Sequence, residues 1–244
     1  MGFYLEQQYD ENYFQRYPLS DGIKGKIFSN IIKKKEPIFR FLIRHCKKGE
    51  KLLDLGCGRG HFLSFAERYF QCFGIDISSY AIDKARKNTK KAVLYEGNCE
   101  DLSKFEDNFF DIVTAFDFLE HLKEPQKTIQ EINHILKLKG ILVISTPNPI
   151  SLGRKLKKEK WYGFTDPTHI SIKEVSEWKA ILERNNFKII KLFYDYFWDT
   201  PYTSFLPKFI EDLFIKFPTF ILFWLGIGSG KYLGENTWII AKKI

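Results

Sequence analysis

Three glycines and two carboxylates make the most chemically suggestive stretch of the chain. Leu52-Leu53-Asp54-Leu55-Gly56-Cys57-Gly58-Arg59-Gly60-His61-Phe62 is followed by Gly74-Ile75-Asp76-Ile77. An apolar run, a glycine-rich turn and a second apolar segment read as strand, turn and helix. Residues without Cβ let the backbone take positive φ and come close to a ligand. Asp76, ending the next apolar run, would lie beside that turn, where its carboxylate could accept two hydroxyl hydrogen bonds from a ribose. Dinucleotide-binding turns share this logic, but their third glycine follows the first pair after two residues, a position that His61 holds here. The spacing therefore disfavours a nicotinamide cofactor.

Glycines at 56, 58 and 60 behind Asp54 resemble motif I of the class I S-adenosylmethionine-dependent methyltransferases. Three further segments resemble that family in order: Glu96-Gly97-Asn98-Cys99-Glu100-Asp101-Leu102, then the stretch from Phe109 through Phe116 to Leu122, then the stretch from Leu136 to Asn148. Together they cover residues 49 to 149. The resemblance implies S-adenosyl-L-methionine as cofactor, with Asp54 helping to hold the methionyl amino group. It implies that Gly56, Cys57, Gly58 and Gly60 make room for the methionine and ribose, and that Asp76 with Ile77 takes the ribose. Asn98 and Cys99 would border the adenine, and Phe116 completes the set. Many members carry an acid where this chain has Asn98, and an amide oxygen can still accept the exocyclic amine. Local readings stay open beside these: a tight strand-to-helix turn at the glycines, and a plain turn at Glu100 and Asp101. Further on, Asp166-Pro167-Thr168-His169-Ile170 is similar to small-molecule O-methyltransferases of the ubiquinone-biosynthesis type.

A hydroxyl acceptor has to lose a proton, so a base is needed. His121, after the fourth strand, and His169, after the fifth, are the candidates; packing of a turn by His121, or a loop bond from His169 to Asp166, are the structural alternatives. Asp117, Glu120 and His121 match positions where some ubiquinone-type enzymes carry a divalent metal, but acidic surface residues are the default and no metal is expected. Trp161, Tyr162 and Phe164 could wall an apolar acceptor pocket or pack a cap.

Holding these groups requires strands and helices in alternation, which argues for a parallel sheet covered on both faces. Strands are predicted over 51–55, 72–75, 92–95, 110–115, 141–145, 187–193 and 237–241, with helices over 60–69, 79–88, 125–136 and 172–184. Ser78 suits an N-cap, and Lys137, Lys139 and Gly140 suit a helix stop. Before them, Ile27, Ile31, Ile32, Ile38, Phe39, Leu42 and Ile43 recur at helical spacing, with Pro37 permitting a break. Residues 1–22 are aromatic and polar without a clear period, and Tyr9 to Phe14 reads as an arm or short helix. The fold implied is a Rossmann-like, seven-stranded class I methyltransferase sheet in one domain, with residues 49–149 as cofactor core. Residues 150–171 and 197–234 would be acceptor-side cap segments. From 205 to 227 an apolar helix is expected to serve either as a pocket lid or as an interfacial membrane segment.

Composition bounds the rest. The chain has 244 residues, 44% hydrophobic and 28% charged, enough for a sizeable core and unlike disordered or collagenous chains. Four cysteines without a CxxC pair give no disulfide framework or zinc site. No basic or apolar leader follows Met1, so the cytoplasm is the expected compartment, with a peripheral membrane contact through 205–227 as an addition. A net charge of +8 lies in short lysine clusters without a nucleic-acid motif, so a small-molecule acceptor, lipid- or sugar-linked, is expected before RNA or protein. A cofactor-binding protein without turnover is the remaining alternative.

Overall fold

The computed structural model describes residues 9–16, 30–227 and 230–244. The arm expected over 1–22 is therefore described only over 9–16, and Ile27 and the side chains of Ile31 and Ile32 lie outside the described residues. Seven strands, β1 (Lys51–Leu55), β2 (Gln71–Asp76), β3 (Val93–Glu96), β4 (Phe110–Phe116), β5 (Leu136–Pro147), β6 (Phe187–Tyr194) and β7 (Asn236–Lys243), are hydrogen-bonded in the order β3-β2-β1-β4-β5-β7-β6. β1, β2 and β3 run parallel, whereas β7 runs antiparallel to β5 and β6. The order reverses beside β1, and in open sheets ligands bind past the carboxyl ends of strands at such a point.

The described residues pack as two compact bodies, one from within 1–114 and 134–140, the other from within 115–133 and 141–244. In the first, Leu52, Leu53, Leu55, Leu63, Ile75 and Ile82 are fully buried. The continuous apolar run of β1 is what a strand covered on both faces requires. Ser78 caps helix Ser79–Asn88 by accepting the Ala81 N–H at 3.2 Å. Helix Asn30–His45 continues through Pro37, where the sequence permitted a break, and Ile38 and Leu42 just beyond it are fully buried.

One boundary departs from expectation. Helix Pro125–Ile135 gives way at once to β5, five residues before the strand predicted from Ile141. The His134 and Ile135 carbonyls accept the N–H groups of Asn108 and Phe109, and Lys137 pairs with Asp111 at 2.7 Å. Those pairings turn the expected helix stop into strand, with Lys139 taking φ 65°.

In the second body, helix Val175–Arg184 starts later than the apolar period suggests, because Glu174 and Glu177 close a capping box. The apolar stretch after Pro207 forms helix Lys208–Glu211, a π-helical turn over Asp212–Lys216, and helix Phe217–Trp224.

Candidate active site

In the first body, β1 delivers the chain into a turn whose glycines 56, 58 and 60 have φ of 62°, 51° and 71°. An L-residue in that left-handed region costs roughly 1–2 kcal/mol. At Gly60 crowding adds to this, since a Cβ would stand 2.9 Å from that of Ala85. At Gly58 a Cβ would meet only Phe14 Cε1, at 3.8 Å. Phe14 comes from helix Glu11–Arg16 and its ring lies 5.9 Å from that of Tyr80. This aromatic contact with the turn was not anticipated, because the arm shows no period.

Asp76 ties the turn to the next helix. Its Oδ2 accepts the Gly58 N–H at 2.7 Å and its Oδ1 accepts the Ser78 N–H at 2.9 Å. Burial raises its pKa, while these backbone donors act in the opposite direction. The Ile77 N–H is a third backbone donor to this carboxylate, which as an acceptor-only group stands beside three left-handed glycines. Paired ribose hydroxyls fit that acceptor-only group.

The other predicted cofactor residues divide. Asp54 is buried and its Oδ1 accepts the Thr114 hydroxyl at 2.6 Å, a partner that sequence inspection did not single out. Cys57 and Cys99 are buried, and burial above all pushes both thiols up, which makes them packing groups rather than nucleophiles. Ile77 is half-buried. Asn98 is exposed, its Oδ1 accepting the Glu100 N–H at 2.9 Å in an Asx-turn. Phe116 belongs to the second body and packs on Trp238, with ring centroids 5.5 Å apart.

In that second body β4 ends at Phe116, and Asp117 takes φ 49°, held by the Ser145 hydroxyl donating to its Oδ1 at 2.8 Å. A 3₁₀ turn over Leu119–His121 follows. The Glu120 carbonyl accepts the N–H groups of Ile170 and Ser171 at 3.0 and 2.8 Å, which brings the Asp-Pro-Thr-His segment against this turn.

The two predicted bases meet there, their ring centroids 4.7 Å apart. His121 Nδ1 lies 2.8 Å from Thr168 Oγ1, and Thr168 donates its hydroxyl to Asp166 Oδ1 at 2.6 Å. Thr168 has one proton and gives it to the carboxylate, so toward His121 it accepts. Nδ1 therefore carries the imidazole proton and Nε2 the lone pair. Burial, then the neighbouring His169, lowers the His121 pKa to about 4, so the ring is neutral at pH 7. His169 Nδ1 donates to the Gly163 carbonyl at 2.9 Å, and its Nε2 lies 3.8 Å from Asp166 Oδ2.

Glu120 is fully buried, and neither carboxyl oxygen has a described partner in hydrogen-bond geometry. Burial, with Asp117 and Asp166 adding to it, pushes its pKa well up. Glu120, His121 and His169 offer ligand atoms all within 4.8 Å of one another. Trp161 does not wall an open pocket: it is fully buried and donates Nε1–H to Glu235 Oε2 at 2.7 Å.

A family model described as a methyltransferase domain matches residues 28–192. The chain belongs to that family. Similarity extends to an uncharacterised protein of Methanocaldococcus jannaschii, 34% identical over 153 residues, covering 62% of this chain and 70% of that protein. A ubiquinone biosynthesis O-methyltransferase of Neisseria meningitidis serogroup C is 31% identical over 108 residues, which is 41% of this chain and 45% of that enzyme. This chain thus spans less than half the length of that relative. Among solved structures, a SAM-dependent methyltransferase from Archaeoglobus fulgidus matches with TM-score 0.62 at 22% identity, over 88% of this chain and 94% of that one, a likeness of fold. The methyltransferase is thus a class I enzyme of Rossmann-like fold that uses S-adenosyl-L-methionine.

Proposed function

We propose that this methyltransferase methylates a hydroxyl oxygen of a small, lipid-linked acceptor, with His121 as general base. The observation that carries the reading is the Asp166–Thr168–His121 chain of hydrogen bonds, which leaves Nε2 of a neutral imidazole as the proton acceptor. A base with its tautomer set in advance is what a hydroxyl nucleophile needs. Similarity to ubiquinone biosynthesis O-methyltransferases supports oxygen as the methylated atom.

When bound, S-adenosylmethionine supplies an electrophilic methyl group on a sulfonium and leaves as a neutral thioether. Asp76 takes the ribose hydroxyls, the backbone at Gly56, Cys57, Gly58 and Gly60 lines the methionyl and ribose portions, and Asp54 receives the amino group. Ile77, Asn98 and Cys99 complete that lining. His121 takes the acceptor proton at Nε2, and His169 packs against it as the second polar group of the acceptor side. Residues 150–171 serve as the acceptor-side cap. A carboxyl acceptor would need no base, and a sugar-linked one would place the product in water.

A second reading rests on the Glu120, His121 and His169 geometry, which fits a divalent cation such as Mg²⁺ or Zn²⁺ that would acidify a bound hydroxyl. Chelation decides between the two: activity that survives EDTA keeps His121 as base, and loss restored by one metal makes it a ligand.

The test of the acceptor is transfer of labelled methyl from S-adenosylmethionine into fractions of host extract. Base-stable label in the solvent-extractable lipid fraction is the expected result. Label confined to RNA, to protein or to water-soluble metabolites overturns the lipid-linked reading.

A further inference from the structure

The segment after residue 200 is inside out for a pocket lid. A lid buries its apolar face and leaves its charges in water. Here Glu211 is fully buried, its oxygens accepting the Tyr202 N–H at 2.6 Å and the Thr203 N–H and hydroxyl at 2.9 and 2.7 Å. Asp212 accepts the Thr200 hydroxyl at 2.6 Å, and Thr219 accepts the Phe197 N–H at 3.2 Å. Facing water instead are Phe205, Phe209, Phe214, Phe217, Leu225 and Ile227, each between 57% and 78% exposed. Only Phe223 is fully buried in helix Phe217–Trp224, where it packs near Phe193 and Tyr196. Contiguous large apolar side chains on a surface mark an interaction site.

The chemistry around the face says what covers it. Its acids are used internally: Glu211 is buried, and Asp212 pairs with Lys208 at 2.6 Å. Its rim is basic. The Tyr232 ring, 51% exposed, has Lys231 Nζ at 4.7 Å and Lys155 Nζ at 5.5 Å from its centroid. A backbone bond from the Leu152 N–H to the Tyr232 carbonyl joins this rim to helix Leu152–Lys157. Arg154, Lys155, Lys158 and Lys160 on and after that helix are exposed, with Glu159 the one acid among them. A second copy would bring this positive rim against itself across a twofold. Anionic lipid headgroups complement it, and aromatic side chains flanked by lysines suit the headgroup boundary. Among the described residues no helix is long and apolar enough to cross a membrane.

We propose that this face docks on an anionic phospholipid bilayer, the exposed phenylalanines entering the headgroup–acyl boundary and the basic rim meeting lipid phosphates. The docking goes beyond the acceptor reading and holds whether the acceptor is lipid-linked or free in water.

Co-sedimentation of the full chain with phosphatidylcholine vesicles, with and without phosphatidylserine, tests it. The expected result is pelleting with the anionic vesicles that weakens as salt is raised. The triple variant Phe209→Asp, Phe214→Asp, Phe217→Asp should lose at least about tenfold in vesicle partitioning, because charged groups resist entry into the boundary. These side chains are exposed, and an unchanged thermal shift with S-adenosylhomocysteine verifies that the variant is folded. Wild-type protein that stays in the supernatant with both vesicles overturns the proposal, as does a folded variant that pellets like wild type. A wild-type dimer in analytical ultracentrifugation that the triple variant abolishes also overturns it, giving the face to a second copy. Protein that binds anionic vesicles yet labels only water-soluble material keeps the docking surface and ends the lipid-linked acceptor reading.

Discussion

Thr168 has a single hydroxyl proton, directed to Asp166 at 2.6 Å, so its worth to His121 is as an acceptor that holds one tautomer. Thr168→Val keeps the shape and removes that acceptor. We expect kcat to fall by about tenfold or more, within the ~10²–10⁴ that a general base contributes, with cofactor affinity unchanged and Thr168→Ser restoring the rate. Unaltered kcat in the valine variant would remove Thr168 from the mechanism. The same residues set the pH response. Because folding lowers the His121 pKa from its ordinary 6.5 to about 4, the folded chain binds that proton less readily than the unfolded chain. Its contribution to stability is whole above pH 6.5 and is lost as pH falls toward 4. The acid limb of kcat/KM should accordingly lie near pH 4 rather than 6.5, and a limb centred at 6.5 would mean that another group is the base. At the cofactor turn, Asp76→Ala should weaken S-adenosylhomocysteine binding by at least ~10-fold, since each charge-assisted hydrogen bond is worth roughly 1.5–3 kcal/mol. Calorimetry giving an unchanged Kd would show that Asp76 faces away from the ligand.

At the scale of elements, buried polar groups hold the segment from Ser151 to Thr168 in place. Glu235 accepts from Trp161 and Ser151 on one oxygen and from the Tyr202 hydroxyl on the other, and the Tyr162 hydroxyl donates to its carbonyl at 3.0 Å. Helix Leu152–Lys157 reaches this carboxyl only because residue 153 is glycine, where a Cβ would stand 1.9 Å from Glu235 Oε1 and 2.7 Å from the Tyr202 ring. Gly153→Ala should therefore destabilise by about 1–3 kcal/mol through overpacking, seen as a lower midpoint in thermal melts. Gly226, with φ 79° and nothing within 4 Å of where a Cβ would stand, is a contrast in which strain alone acts. Equal melting of Gly153→Ala and wild type would show that the Glu235 cluster can shift without cost.

For the molecule as a whole, ligand linkage gives the broadest test. A ligand at a hundred times its Kd adds about 2.7 kcal/mol, and for a chain of this size each kcal/mol raises Tm by ~2–4 °C. S-adenosylhomocysteine should produce such a rise and NAD none. A rise with NAD alone would return the glycine turn to the dinucleotide class.

The parts that were readable before folding are those whose information is local. Strand, turn and helix around Gly56–Gly60 follow from residue types a few positions apart, and so do the Ser78 cap and the acid at 76. The parallel pairing of β1 with β2 is also written in short apolar runs, since strands covered on both faces read that way, whereas the antiparallel course of β7 between β5 and β6 corrects the expectation of a parallel sheet. Other features depend on partners distant in the chain. Thr114 meets Asp54 across 60 positions, His121 meets Thr168 across 47, and Trp161 meets Glu235 across 74. No spacing rule connects such residues. The start of β5 at Leu136 likewise needed the N–H groups of Asn108 and Phe109 to claim the end of a helix. The apolar helix after Pro207 shows the limit most plainly. Periodicity separates its two faces, but nothing in a period says which face turns inward, and the Tyr202 and Thr203 donors that bury Glu211 are what send the phenylalanines outward.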